Sequence, residues 1–68
     1  MNILNSLAKE RGAPATFIAE RLNIPAETVR RHLRGETTPS ADAILAYANF
    51  FGVEVSTLIS QIYKNEKR

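Results

Sequence analysis

The chain has 68 residues, no cysteine and a single histidine, with 44% hydrophobic and 24% charged residues. Its length suits one small domain with a thin core and little concave volume, and its composition is that of a globular protein. Lack of cysteine excludes disulfides, thiolate zinc sites and a cysteine nucleophile, one histidine excludes multi-histidine metal sites, and a formal net charge of +2 matters only through where the charges lie.

Hydrophobic spacing and punctuation predict five short helices and no strand of any length. The first covers about residues 3–11, with Ile3, Leu4, Leu7 and Ala8 on one side and Gly12 as its stop. Pro14 suits the first turn of a second helix over 15–22, whose inner side carries Phe17, Ile18 and Leu22 and whose end, Asn23, tolerates a left-handed backbone. Ile24 and Pro25 make a tight apolar turn into a third helix over 26–34, stopped by Gly35. After the loop Thr37-Thr38-Pro39-Ser40, Ser40 is placed to cap a fourth helix over 41–51, with Asp42 favouring its positive end. Ile44, Leu45, Ala48 and Phe51 form its apolar rhythm, and Gly52 ends it. A fifth helix over 55–63 has Val55, Leu58, Ile59 and Ile62 as its stripe and Ser56 as a candidate cap, and residues 64–68 form a polar, basic tail expected to fray. The expected fold is therefore all-α, a compact five-helix bundle forming a single domain over residues 1–63.

The N-terminal Met1-Asn2-Ile3-Leu4-Asn5 has no basic, apolar signal pattern. The most apolar window, 41–53, is broken by Asp42, Asn49 and Gly52 and falls short of the ~20 apolar residues that span a bilayer. A cytoplasmic protein without membrane association is expected.

The charges are unevenly placed. Residues 21–34 hold Arg21, Arg30, Arg31 and Arg34 against Glu27, whereas residues 35–63 hold Glu36, Asp42 and Glu54 with no basic residue. On a helix, Val29, His32 and Leu33 gather on one side, and Glu27, Arg30, Arg31 and Arg34 gather on the other. Such a cluster attracts polyanions, and it would equally serve as an ordinary solvated face. Arginine is nevertheless the side chain whose planar fork reads guanine O6 and N7 or grips a phosphate. The three- or four-residue turn to the preceding helix is what a helix-turn-helix needs, one helix bracing the backbone while the next enters the major groove.

These residues resemble the phage-repressor helix-turn-helix family that includes lambda repressor and Cro. The resemblance rests on Arg11-Gly12, Ile18-Ala19-Glu20, Leu22-Asn23-Ile24, Thr28-Val29, Arg34-Gly35, Pro39-Ser40, Phe51-Gly52-Val53 and Leu58, at consistent spacing over roughly residues 3–62. It implies that Ala26, Glu27, Thr28 and Arg31 face base edges in double-stranded DNA. It also implies that Thr16, Arg21, Arg30, Arg34 and Thr37 meet phosphates. The chain departs from the family where glutamine is frequent, at Ala15 and Ala26, and has Leu33 where glutamate is frequent and His32 where an aliphatic residue is usual. Glu27 and Arg31, four residues apart, suit a surface ion pair that opens on DNA, Arg31 then taking guanine and Glu27 a cytosine amino group. His32 is expected to pack rather than to sense pH or catalyse.

A bundle this small cannot turn both Phe50 and Phe51 inward, and part of the last helix is expected to continue into a second copy. Phe50, Val55, Ile59, Ile62 and Tyr63 are the expected homodimer contacts. The resemblance thus implies a small Cro-type repressor acting as a dimer on a palindromic operator, with no cofactor, small-molecule ligand or enzymatic activity. Two alternatives stay open: the same fold as a protein-interaction module, such as an antirepressor or antitoxin-like adaptor, or the DNA-binding part of a longer regulator.

Overall fold

In a computed structural model, which describes residues 3–66 and their side chains as far as Tyr63, five helices follow one another. They are α1 (Ile3–Arg11), α2 (Ala15–Leu22), α3 (Ala26–Arg34), α4 (Ala41–Phe51) and α5 (Val55–Glu66). There is no strand among the described residues. α5 continues three residues beyond its expected end, through part of the segment read from sequence as a frayed tail; residues 67–68 lie outside the described residues.

The helix ends share one device. Gly12, Asn23, Gly35 and Gly52 all take positive φ, between 61° and 79°. At each end the next residue's N–H reaches back to a carbonyl five residues earlier: Ala13 to Ala8 at 2.9 Å, Ile24 to Ala19 at 3.0 Å, Glu36 to Arg31 at 2.9 Å and Val53 to Ala48 at 3.0 Å. This is the Schellman termination, which satisfies orphan carbonyls and turns the chain sharply. Three of the four reaching residues, Ala13, Ile24 and Val53, are apolar and pack against the core. The fourth, Glu36, is charged and exposed. Asn23 is the sole non-glycine at positive φ among the described residues, in keeping with the tolerance of asparagine for that region.

Helix starts are more varied. Pro14 and Pro25 sit just before α2 and α3, and neither helix has a side-chain cap bond. Ser40 does cap α4, its Oγ accepting from the Ala43 N–H at 3.2 Å. Ser56 lies inside α5; the Glu54 carbonyl instead accepts from Thr57 and Leu58 at the first turn.

The core draws on every helix: Leu4 and Ala8, Ile18 and Ala19, Val29 and Leu33, Ile44, Tyr47, Ala48 and Phe51, and Leu58 and Ile62. α3 packs against α2 and α1, and α4 against α5 and α2. Three positions differ from the helical rhythm read in the sequence. Leu45 is 50% exposed while Tyr47 is fully buried, because the inward arc of α4 centres one residue-step away from Leu45. Phe17 is 43% exposed, with Ala19 taking the inward place on α2. Phe51 is buried and Phe50 lies at the rim, their rings edge-to-face at 5.0 Å.

Ile62 requires a correction as a contact between two copies: it is 5% exposed and belongs to the protein's own core. Of the other expected dimer contacts, Phe50 and Val55 are half-buried, and Ile59 and Tyr63 present 40% and 44% of their surface to solvent.

His32 is the buried polar group of α3, and it is tied to α4. Its Nδ1 shares a 2.8 Å hydrogen bond with the Tyr47 hydroxyl, the imidazole tautomer deciding which of the two donates. The rings also meet edge-on at 5.7 Å. Burial holds the His32 imidazole below its ordinary value and pushes the Tyr47 phenol up to about 12. In the unfolded chain histidine titrates near ~6.5. Between that pH and the lower folded value, only the unfolded state takes the proton, so stability falls as pH drops through this window and is unaffected by His32 above it. The urea midpoint is therefore expected to be lower at pH ~5.5 than at ~7.5. Tyr47→Phe, which removes a buried partner, should cost about 1–2 kcal/mol at both pH values. A wild-type midpoint that did not move between the two would show His32 charging alike in both states.

Candidate nucleic-acid interface

α3 is nine residues long and shows two faces. Val29, His32 and Leu33 are buried on one, and Glu27, Arg30, Arg31 and Arg34 are exposed on the other. Between α2 and α3 only Asn23, Ile24 and Pro25 intervene. The Ile24 N–H bond back to Ala19 and the side chain of Ile24 against the core fix that turn. α2 and α3 are thus a rigid pair, with one helix holding the outer face of the other toward solvent.

On that face Glu27 is central. Its Oε2 accepts from Arg31 Nε at 3.3 Å and lies 3.7 Å from Arg34 Nη2, and its Oε1 lies 3.7 Å from Arg30 Nη1. One carboxylate therefore serves three guanidiniums spaced three, four and seven residues further along, which is one stripe of a helix. The other edge of Arg34 is taken by a residue outside the predicted site: Arg34 Nε donates to Glu36 Oε2 at 2.7 Å. That bond holds the Glu36 carboxyl below its usual range and raises Arg34 further. These side chains are all about half exposed, so each pair alone contributes little to stability. Their weight is positional. The basic balance of residues 21–34 also changes in space, since Glu36 folds back onto the arginine stripe and leaves three cations facing two carboxylates.

The other expected contacts are distributed around this stripe. Thr28 is half-buried, and Ala26 is partly buried against the core, so its methyl is shared between the core and the surface. Thr16 is exposed at the second residue of α2, beside uncapped first-turn N–H groups, an arrangement that suits an anion. Thr37 is exposed beyond the end of α3. Arg21 is held by aromatic rings, its guanidinium 5.7 Å from the Phe17 centroid and 6.0 Å from that of Phe50. Stacking covers the flat face of a guanidinium and leaves its N–H edge for a phosphate. Glu36 is legible from sequence in one respect only: it follows the glycine that ends α3, where a Schellman turn brings the chain back over the last helical turn.

Two helices joined by a three-residue turn, the second with a cationic outer face, define the helix-turn-helix class. A helix-turn-helix family profile matches residues 6–58. The chain belongs to this family, in its Xre and lambda-repressor-like branch, and is a DNA-binding helix-turn-helix regulator. No curated protein and no solved structure matches it. Among the described residues, no helix is long and apolar enough to cross a membrane.

The Arg21 stack ties α2 to α4 through Phe17 and Phe50, which also meet each other at 6.0 Å. Arg21→Ala is expected to lower stability by about 0.5–1.5 kcal/mol in urea denaturation. An unchanged midpoint would show that the stacked guanidinium has no energetic weight.

Proposed function

We propose that the protein is a small Cro-type repressor that binds a palindromic operator as a dimer, α3 of each copy lying in the major groove. The observation that carries this reading is the exposed arginine stripe of α3, braced by α2 through a three-residue turn. In this reading Arg31 and Glu27 address base edges, with Ala26 and Thr28 beside them, and Arg30, Arg34, Thr16, Thr37 and Arg21 hold the phosphate backbone. The family resemblance supports a phage or mobile-element setting in the cytoplasm. Repression works by occupancy, with no cofactor. One recognition helix spans too few base pairs for a specific site, whereas two about 34 Å apart read a two-fold symmetric one. The exposed Ile59 and Tyr63 on α5, with Phe50 and Val55 at the rim, support an interface between the copies.

The two carboxylates among the arginines favour a second reading, in which the face meets a protein rather than DNA. Selection from random duplexes at ~100 mM salt separates the two readings. A two-fold symmetric site should emerge, with a log–log salt slope of roughly −5 to −7 for six to eight phosphate contacts. Arg31→Ala should relax preference at one position per half-site at a cost of about 1–3 kcal/mol, whereas Arg34→Ala should weaken all sequences alike and flatten the slope by about 1. Equal losses on selected and random DNA for both variants would overturn this division of roles. No enrichment at all would turn the function toward a protein partner.

A further inference from the structure

We infer that Glu27, assisted by Glu36, is an internal counter-ion that makes the arginine stripe selective by rejection: it withholds the guanidiniums from any duplex that offers Glu27 no amino group. The inference rests on the DNA-binding reading above and adds how the face discriminates.

A single carboxylate touches or approaches Arg30, Arg31 and Arg34 within 3.3–3.7 Å, and a second closes the remaining edge of Arg34 at 2.7 Å. The cations that would grip phosphates are thus already satisfied in the free protein. Because all five side chains are about half exposed, the pairs are weak and exchange readily when a better acceptor replaces the carboxylate. A phosphate is such an acceptor, but freeing the arginines leaves Glu27 at the DNA surface. An ionised carboxylate has no donor. In the major groove it finds partners only at the cytosine N4 and adenine N6 amino groups; guanine O6 and N7 and thymine O4 are acceptors and repel it. A site with cytosine or adenine opposite Glu27 therefore resolves both charges together, its amino group taking the carboxylate while guanine or phosphate takes the arginines. On a mismatched duplex the carboxylate either stays on its arginines, blocking phosphate contact, or faces base acceptors and the phosphate field without a partner. Glu36 lies beyond the C-terminal end of α3 and bonds to Arg34 at the far end of the stripe from Glu27. It sets how tightly one phosphate-binding arginine is withheld and carries no base preference.

The test compares wild type, Glu27→Gln and Glu36→Gln on a mixed-sequence duplex and on the duplex selected by the wild type, from about 50 to about 200 mM salt. The helical circular dichroism of each variant is the folding control. Glu27→Gln should bind the mixed duplex roughly eightfold more tightly near 0.1 M salt and steepen the salt slope by about 0.9 for each further phosphate that the freed arginines neutralise. It should also lose its bias toward cytosine or adenine at one position per half-site. Glu36→Gln should steepen the slope with its base preference intact. If the wild type binds DNA and Glu27→Gln binds the mixed duplex no more tightly, the counter-ion role is overturned while the repressor reading stands. If neither the wild type nor Glu27→Gln binds any duplex at low salt, both are overturned.

Discussion

A nine-residue helix with three arginines along one side has little stability of its own, since isolated helices of this length are marginal in water. α3 exists because its other side is held. Val29 and Leu33 enter the core, and the His32–Tyr47 hydrogen bond ties the helix to α4. That bond lies in the buried part of α3, and it is directional where aliphatic packing is not. It fixes the rotation of α3 about its axis. Since the arginine stripe lies opposite, this rotation also sets where the stripe points.

The same division explains what the sequence discloses. Helix ends are legible because each one uses a residue with a conformational reason to be there: glycine at 12, 35 and 52, asparagine at 23, and serine at the start of α4. The two faces of α3 are legible because polar and apolar residues alternate at helical spacing. Residues at the borders of apolar arcs are not. Leu45 and Phe17 are apolar, yet they sit one step outside the buried arc, and only packing against the neighbouring helices decides such positions. Ile62 misleads for the converse reason: a stripe on a terminal helix looks the same whether it meets its own core or another copy, and here it meets its own.

The electrostatics follow a similar rule. Counting charge along the chain separates Arg34 from Glu36 at the glycine between them, whereas the folded chain joins them at 2.7 Å. The turn that ends α3 therefore alters the charge that α3 presents. Which groups carry charge is a matter of local sequence; which of them pair is decided by the backbone path.

That turn has a consequence for how such a protein can change. At three helix ends the residue after the left-handed position is apolar and pressed against the core, so substitution there trades against folding. At the end of α3 the equivalent side chain, Glu36, is exposed, although its backbone N–H still closes the turn on Arg31. The side chain is thus relieved of structural duty while remaining in contact with the functional face. A lineage can rewrite residue 36 and adjust the grip of the arginines in small steps, each leaving the bundle intact. Together with the exposed side of α3, it makes a set of positions on which drift and selection can act without passing through unfolded intermediates.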